Sequence, residues 1–245
     1  MGKGGSGKSV IAGTIARVLA QRGLNVLALD SDLLPGLAFS LGADEPATPP
    51  LAQAAEKDAD GRWRLRPGIG PARAVRRFST AAPGGIRLLQ CGKTPPEGLA
   101  PIMGAVNAYY SVIHRLDEPR SLQSWAMVGD LPAGPRQAAY DWAPFARRFV
   151  MVVEPSWPSI LTALRIARIA AGRPHVEPIA IGNKIKGEQD RLLIERGLGA
   201  PLHAALAADE AVAEAERLGV APIDHAPTCT TVAGAEALVA SWLEE

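Results

Sequence analysis

The sequence has few of the features that mark secreted, membrane or fibrous proteins. Its 245 residues contain two cysteines, Cys91 and Cys229, too few for a disulfide framework. No apolar run approaches the ~18 residues that a membrane span requires, because arginines interrupt the candidates. The opening MGKGGSGKS has no signal-peptide pattern. We therefore expect a cytoplasmic, globular protein whose two thiols are reduced.

The sequence also has no large excess of either positive or negative charge. The chain has 26 Lys plus Arg against 25 Asp plus Glu, for a net charge of +1. General binders of nucleic acid or anionic membranes carry a clear basic excess, so such a contact would depend on a local patch. The arginine-rich stretch at residues 61–78, GRWRLRPGIGPARAVRRF, is one such patch. It indicates either a partner or nucleic-acid contact or, as we favour at this net charge, a solvated insertion.

The order of elements predicts an α/β fold. Apolar residues from Val10 to Leu19 recur with helical spacing, and a buried strand follows at residues 25–30. Further strands are predicted at residues 86–90, 125–130, 149–154 and 178–182, and helices at residues 106–116, 137–147, 159–171, 210–218 and 232–243. This alternation indicates a mostly parallel sheet with helices on both faces. We expect a single domain over residues 1–245, with a flexible insertion at residues 46–83.

The N-terminal residues match a phosphate-binding loop. Gly2-Lys-Gly-Gly-Ser-Gly-Lys-Ser9 satisfies G-x-x-x-x-G-K-[ST] and leads into a predicted helix. Glycines let backbone N–H groups form a nest for phosphates, Lys8 would reach the β- and γ-phosphates, and Ser9 would ligate Mg²⁺. A helix-capping turn would explain the glycines but not Lys8 and Ser9. We predict an ATP or ADP site contacted by Gly4, Gly5, Ser6, Gly7, Lys8, Ser9 and Val10.

Acidic residues follow two of the predicted strands. Val26-Leu-Ala-Leu-Asp-Ser-Asp32 and Trp125-Ala-Met-Val-Gly-Asp130 are both apolar runs that end in aspartate. Ligands of open α/β sheets lie at the carboxyl ends of the strands, which favours a functional role. Two local alternatives stay open. Asp30 or Asp32 could cap the next helix, and Asp130-Leu-Pro-Ala-Gly134 could be a simple turn.

With Lys3 included, the loop resembles the deviant Walker A motif, K-G-G-x-G-K-[ST], of the MinD/ParA and ArsA-like ATPases. The resemblance implies a P-loop NTPase of the SIMIBI class that binds ATP with Mg²⁺. In that family the early lysine reaches across a homodimer, so Lys3 would contact the γ-phosphate of the partner's nucleotide. Asp32 resembles the catalytic aspartate that orients or deprotonates the attacking water. Asp130 would hold Mg²⁺, and the Gly134 amide would sense the γ-phosphate.

Two later segments resemble the family's base site. Ile181-Gly-Asn-Lys184 follows a strand, and the resemblance implies that Asn183 bonds the adenine edge while Lys184 lies along it. Leu206-Ala-Ala-Asp-Glu-Ala-Val212 resembles the loop that closes over the base, with Ala207 where relatives usually have proline. An Asn-Lys turn is also common elsewhere. The chain departs from the family again after Asp32, where relatives often have proline and a downstream asparagine.

Within the family, the segments from Val153-Glu-Pro-Ser156 onwards look most like CooC-type ATPases, which assist nickel insertion into carbon monoxide dehydrogenase. Their Cys-x-Cys metal site has no counterpart in APIMGAVN at residues 100–107, so nickel binding does not carry over. The acidic ending at Glu245 differs from a basic membrane helix, and we expect no membrane contact.

Together these features predict a slowly hydrolysing ATPase that forms a homodimer on ATP and acts as a maturation or accessory factor for a client protein. Nucleic-acid binding is not expected. The alternatives are a catalytically weak nucleotide-binding scaffold and a ParA-like positioning ATPase that uses the arginine-rich stretch. One feature departs from the fold, since a buried strand of about five or six residues normally precedes the phosphate loop. Only Met1 precedes Gly2, so we expect the first strand to be missing and hypothesise a native start upstream.

Overall fold

The strands form the centre of the molecule. The computed structural model describes residues 1–34, 36–44, 50–93 and 102–244. The strands of its two main sheets are β1 Val26–Asp30, β4 Thr80–Ala81, β5 Arg87–Gln90, β6 Ala126–Asp130, β7 Arg148–Val153, β8 Glu177–Ile185 and β9 Ala204–Ala207. One sheet has the order β4-β5-β1-β6 and another the order β7-β8-β9. Within these sheets the pairs are parallel except β4 with β5, as the alternating pattern predicts.

Helices cover both faces of the sheet that contains β1. Val26 and Ala28 pack into one core cluster with residues of the helices at Lys8–Gln21 and Thr230–Glu244, whereas Leu27 and Leu29 pack into another with residues of the helix at Met103–Ile113. Alternate side chains of a strand point to opposite faces, so a continuous apolar run serves two cores. The helices are α1 Lys8–Gln21, α2 Leu37–Leu41, α3 Pro71–Phe78, α4 Met103–Ile113, α5 Arg136–Ala139, α6 Trp157–Ala171, α7 Glu188–Leu198, α8 Glu210–Leu218, α9 Pro222–His225 and α10 Thr230–Glu244. The predicted mostly parallel α/β fold is confirmed.

The helix predicted at residues 137–147 is wrong over most of its length. Only α5, Arg136–Ala139, is helical there, and turns lead on to β7. Asp141 adopts a left-handed conformation with φ 60°, which interrupts a right-handed helix. Pro144 lacks an N–H donor and disfavours helical geometry at the residue before it. Local apolar spacing was therefore misleading at this point.

The arginine-rich region contains its own small elements. A 3₁₀ turn at Pro50–Ala54 leads into an antiparallel hairpin of β2, Ala55–Lys57, and β3, Trp63–Leu65, before α3. This layer packs on α4, where a Cβ on Gly104 would lie 2.9 Å from the Trp63 ring. The part of the predicted insertion at residues 46–49 lies outside the described residues, and the single-domain organisation stays a prediction.

The first two residues lie beside β7. Gly2 forms an isolated parallel bridge with Val152, and the Val152 amide donates to the Met1 carbonyl at 2.8 Å. The Gly134 amide, just beyond β6, donates to the Gly2 carbonyl at 2.9 Å. Met1 and Gly2 therefore contact both β7 and the turn after β6. No helix in the described part of the chain has the length and apolarity that crossing a bilayer requires.

Candidate nucleotide site

The predicted site residues meet at the carboxyl edge of the parallel strands. Asp30 ends β1 and Asp130 ends β6, and the two residues are paired in the parallel register. The loop of residues 2–7 runs along this edge before α1 begins at Lys8, and residues at the end of β8 hydrogen-bond to it. This arrangement arises because parallel strands all end at one edge, where open α/β sheets bind ligands.

The phosphate loop turns through two left-handed glycines. Gly5 has φ 76° and Gly7 has φ 89°, a region where side chains other than glycine are strained. Gly7 is the N-cap of α1, and the α1 N-terminus is the positive end of its helix dipole. The Lys8 ammonium donates to the Lys3 carbonyl at 3.3 Å, and Val10 is buried behind the loop. Ser6 is buried, and its hydroxyl has no hydrogen-bond partner among the described residues.

A direct contact joins the phosphate loop to β6. The Ser9 hydroxyl donates to Asp130 Oδ2 at 2.5 Å, although the two residues are 121 positions apart. Asp130 is 2% exposed, and its other oxygen, Oδ1, is buried without a partner among the described residues. Burial raises the pKa of Asp130, while the Ser9 hydrogen bond and the Lys8 ammonium act in the opposite direction. One oxygen of the Asp130 carboxylate therefore has no hydrogen bond among the described residues. The other contacts the Ser9 hydroxyl, which is predicted to bind the same Mg²⁺.

The acidic segment after β1 is folded around Asp30. The buried Asp30 carboxyl accepts from the Asp32 amide at 3.1 Å and the Leu37 amide at 3.4 Å. Burial raises its pKa well above the ordinary value, and the nearby Asp130 adds to this rise. Among the described residues Asp32 accepts only from the Leu34 amide, at 2.9 Å, and Asp32 is less buried than Asp30. Asp30 therefore holds the loop that leads into α2, whose N-cap is Gly36. The catalytic role of Asp32 stays a prediction.

The turn after β6 lies against the phosphate loop. A Cβ on Gly4 would lie 3.7 Å from the Ala133 side chain. Gly134, with φ 89°, uses its amide to bond the Gly2 carbonyl. The predicted γ-phosphate sensor is thus in contact with the loop that it would report on, and its sensing role stays a prediction.

The end of β8 contacts the same loop from the other side. Asn183 Nδ2 donates to the Ser6 carbonyl at 2.9 Å, and Lys184 Nζ donates to the Gly5 carbonyl at 2.6 Å. Lys184 has φ 58°, a strained conformation for a non-glycine residue, of the kind that clusters at functional sites. Both side chains therefore hold the phosphate loop, a contact that spacing alone did not predict. Their predicted adenine contacts stay predictions.

The segment predicted to close over the base begins as a strand. Leu206 and Ala207 belong to β9, which pairs with β8, and α8 starts at Glu210. Asp209 is the N-cap of α8, since its side chain accepts from the Ala211 amide at 2.9 Å. It also accepts from the Thr230 amide at 3.0 Å, which connects this turn to α10. The role of this segment in base binding stays a prediction.

Glu154 is a site residue that the sequence reasoning missed. It follows β7, and its two carboxylate oxygens accept from Lys3 Nζ at 3.3 Å and Lys184 Nζ at 2.9 Å. Burial by itself opposes ionisation, but the Lys184 and Lys3 ammonium groups outweigh it and lower the pKa of Glu154. An acidic residue directly after a buried strand was the available signal, as it was for Asp30 and Asp130.

The donor set at this edge suits Mg²⁺. Mg²⁺ prefers oxygen ligands, keeps several waters, and is usually held by one or two protein ligands together with substrate phosphates. The Ser9 hydroxyl and the orphaned Asp130 Oδ1 are oxygen donors of this kind, so they fit the ion. No group of three or more His, Cys, Asp or Glu side chains in the described ranges is arranged to hold a metal. Cys91 and Cys229 are both buried free thiols.

This fold and site define a P-loop nucleotide-binding protein of the MinD/ParA type, with a largely parallel sheet and a glycine-rich loop ahead of its first helix. The chain belongs to the CobQ/CobB/MinD/ParA nucleotide-binding domain family, whose model matches residues 1–238.

Individual relatives agree with this family. The chain is 26% identical to the carbon monoxide dehydrogenase accessory protein CooC of Rhodospirillum rubrum, over 99% of this chain and 94% of that protein. The cell division ATPase MinD of Pyrococcus furiosus superposes with a TM-score of 0.71 at 18% identity, covering 99% and 95% of the two chains. MinD of Pyrococcus horikoshii, solved with Mg-ADP, gives 0.70 at 17% identity, covering 98% and 92%. These similarities confirm the resemblance predicted from the loop, and the two solved structures confirm the fold.

Proposed function

We propose that this protein is a Mg²⁺-dependent ATPase whose nucleotide state controls its pairing with a second copy. The observation that carries the proposal is the Ser9–Asp130 contact of 2.5 Å beside the buried, unpartnered Asp130 Oδ1. A hydroxyl after a phosphate loop and an acid at a strand end are the two protein ligands that a nucleotide-bound Mg²⁺ requires. When bound, Mg²⁺ would neutralise charge on the phosphate oxygens.

The proposed reaction converts ATP and water into ADP and phosphate. Loop amides and Lys8 would hold the phosphates, and Asp32 would orient the attacking water and accept its proton. Asp32 suits this role better than Asp30, because Asp30 is buried and engaged with two backbone amides. We expect slow turnover, since the charge that Lys3 supplies would come from a second copy.

The proposed biological role is that of an accessory or maturation factor in the cytoplasm. Support comes from the similarity to a protein whose name describes it as a carbon monoxide dehydrogenase accessory protein. The client is a protein partner that the ATP-bound dimer would recognise. Nickel is not part of the proposal, because residues 100–107 contain no cysteine.

Phosphate release from ATP, with and without Mg²⁺, tests the enzymatic proposal. Asp130→Asn should remove most of the Mg²⁺-dependent rate and should weaken Mg²⁺-dependent nucleotide binding. Asp60→Asn is the matched control, because Asp60 lies in an exposed pair with Arg62 at 3.9 Å on the separate β2–β3 hairpin. Wild-type protein that releases no phosphate with Mg²⁺ would refute the enzymatic proposal. So would equal rates for Asp130→Asn and Asp60→Asn.

A catalytically weak nucleotide-binding scaffold is the second candidate. The Gly134 amide favours it, because this predicted sensor is already bonded to the Gly2 carbonyl. The departure from the family pattern after Asp32 points in the same direction. Single-turnover measurements with labelled ATP separate the two functions: phosphate release that depends on Asp32 supports the ATPase, whereas binding without release supports the scaffold.

A further inference from the structure

Glu154 joins the two lysines at the mouth of the phosphate loop. Its Oε2 lies 3.3 Å from Lys3 Nζ and its Oε1 lies 2.9 Å from Lys184 Nζ. Lys184 also donates to the Gly5 carbonyl, so one carboxylate and one loop carbonyl share its ammonium group. Lys3 is the residue proposed to serve the nucleotide of a second copy. In the single chain, however, its charge is directed at a carboxylate of its own protomer.

The sheet brings these three residues together. Gly2 is bridged to Val152 of β7, so Lys3 runs alongside Glu154. Val153 is paired with Gly182 of β8, so Lys184 approaches Glu154 from the opposite side. The Glu154 amide donates to the Ser159 hydroxyl of α6 at 3.0 Å, which fixes the backbone beneath the carboxylate. The position of Glu154 is therefore fixed by three neighbouring chain segments, at Lys3, at Lys184 of β8 and at Ser159 of α6.

The contact to Lys3 is weak enough to exchange. The Glu154 side chain is 16% exposed, but the Lys3 side chain is 42% exposed. Ion pairs with such solvent access change an equilibrium constant by a factor of about 1.4 to 5, and salt screens them. A triphosphate carries several negative charges against one on Glu154. It can therefore compete for the Lys3 ammonium, whereas an empty site on a second copy offers no such competitor.

We propose that Glu154 is a positioning residue that holds Lys3 within its own protomer and withholds it from a second copy until that copy carries a nucleoside triphosphate. The inference rests on the proposed function, since it assumes that Lys3 acts in the dimer. Releasing Lys3 from Glu154 should make the dimer form more readily.

Glu154→Gln is the main test, because it keeps the size of the side chain and removes its charge. Dimerisation is measured by sedimentation velocity with Mg²⁺ and a non-hydrolysable imido analogue of ATP. The protein concentration at half-dimerisation should fall roughly two- to twenty-five-fold, because each dimer frees two such pairs. Glu177→Gln is the control, since Glu177 also forms a half-exposed ion pair, with Arg148, at the amino end of β8. It should cause no shift.

A double-mutant cycle distinguishes positioning of Lys3 from a general structural effect. In a Lys3→Ala background, Glu154→Gln should no longer change dimerisation, because the group that Glu154 restrains is absent. An unchanged effect of Glu154→Gln in that background would overturn the proposal. An equal shift in Glu177→Gln would overturn it as well.

Amine labelling tests the Lys3 contact without nucleotide. In the free protein, Glu154→Gln should raise the acetylation rate of Lys3 relative to that of the exposed Lys186, measured by peptide mass spectrometry. If this variant does not fold, wild-type protein at about 1 M salt should show the same relative increase, because screening then acts within roughly 3 Å. Unchanged Lys3 labelling overturns the proposal.

The two proposals fail in different ways. Wild-type protein that binds no nucleotide, measured with a fluorescent ATP analogue, refutes the proposed function and with it the withholding of Lys3. If the protein binds nucleotide and dimerises but Glu154→Gln leaves dimerisation unchanged, only the proposal that Glu154 withholds Lys3 is refuted.

Discussion

Replacing Gly7 by alanine tests how firmly the phosphate loop is attached to β8. Gly7 has φ +89°, and a Cβ there would lie 2.5 Å from Asn183 Nδ2, far inside van der Waals contact. Asn183 is buried, and its Nδ2 donates to the Ser6 carbonyl at 2.9 Å. The added methyl group should therefore both strain the backbone and push Asn183 away from Ser6.

The size of the effect follows from these two terms. An L-residue in the left-handed region costs roughly 1–2 kcal/mol. A buried polar group that loses its hydrogen bond costs about 1–3 kcal/mol. Gly7→Ala should thus lower the free energy of unfolding by about 2–5 kcal/mol. Gly5→Ala is the matched control, because Gly5 has φ +76° and no atom lies within 4 Å of an added Cβ. It should lose only about 1–2 kcal/mol.

Urea unfolding measures the free energy of both variants and thermal unfolding measures their melting temperatures, each followed by far-UV circular dichroism without nucleotide or metal. At about 2–4 °C per kcal/mol, the melting temperature of Gly7→Ala should lie roughly 2–12 °C below that of Gly5→Ala. Adding Asn183→Ala removes the obstructing amide, so the double variant should lose less stability than the sum of the single variants. Equal losses for Gly5→Ala and Gly7→Ala, or strict additivity with Asn183→Ala, would refute the reasoning.

Three further predictions concern catalysis, packing and thiol chemistry. Asp32→Asn should bind ATP like the wild type but slow single-turnover hydrolysis by about 100-fold or more, and loss of binding would contradict the assigned role. Arg17 is buried, and its guanidinium contacts both Asp224 oxygens, at 2.8 and 2.6 Å. Asp224→Ala should therefore cost about 1–3 kcal/mol in urea unfolding, because the buried guanidinium then keeps only its hydrogen bond to the Leu41 carbonyl among the described residues, and Arg17→Met should cost less; the reverse order would be inconsistent with this burial. Burial, together with Asp30 and Asp32, raises the pKa of Cys91 to about 12. Iodoacetamide at about pH 8 should then modify Cys91 only after unfolding in urea, as mass spectrometry would show, and rapid native labelling would argue against its burial.

Local sequence was a good guide wherever one residue pattern determines one conformation. The phosphate loop, α1, β1 and β6 could be predicted because glycine spacing, helical periodicity and short apolar runs act within a few residues. The position of Asp130 at the carboxyl end of β6 could be predicted for the same reason, because it is the last residue of an apolar run. The helix predicted at residues 137–147 was wrong because Pro144 and the left-handed Asp141 outweigh apolar spacing there. The sequence reasoning also omitted α7 and treated β9 as part of a loop.

The partners of the site side chains could not be predicted in this way. The family resemblance associates Asn183 and Lys184 with the base, and the structure adds hydrogen bonds to the carbonyls of Ser6 and Gly5, 177 and 179 residues away along the chain. Glu154 had no assigned role, because its contact with Lys3 joins residues 151 positions apart. Sequence spacing carries no information on such distances.

By itself, therefore, the sequence determined a nucleotide-binding α/β protein with a phosphate loop of the MinD/ParA type, because that loop is a local structure encoded by consecutive residues. Only the tertiary structure decided which groups the loop meets. Parallel strands from distant parts of the chain end at one edge, and this brings Asp130 to Ser9 and Glu154 to Lys3. The physical reason is that contacts across a sheet depend on strand order and register, which form only when the whole chain has folded.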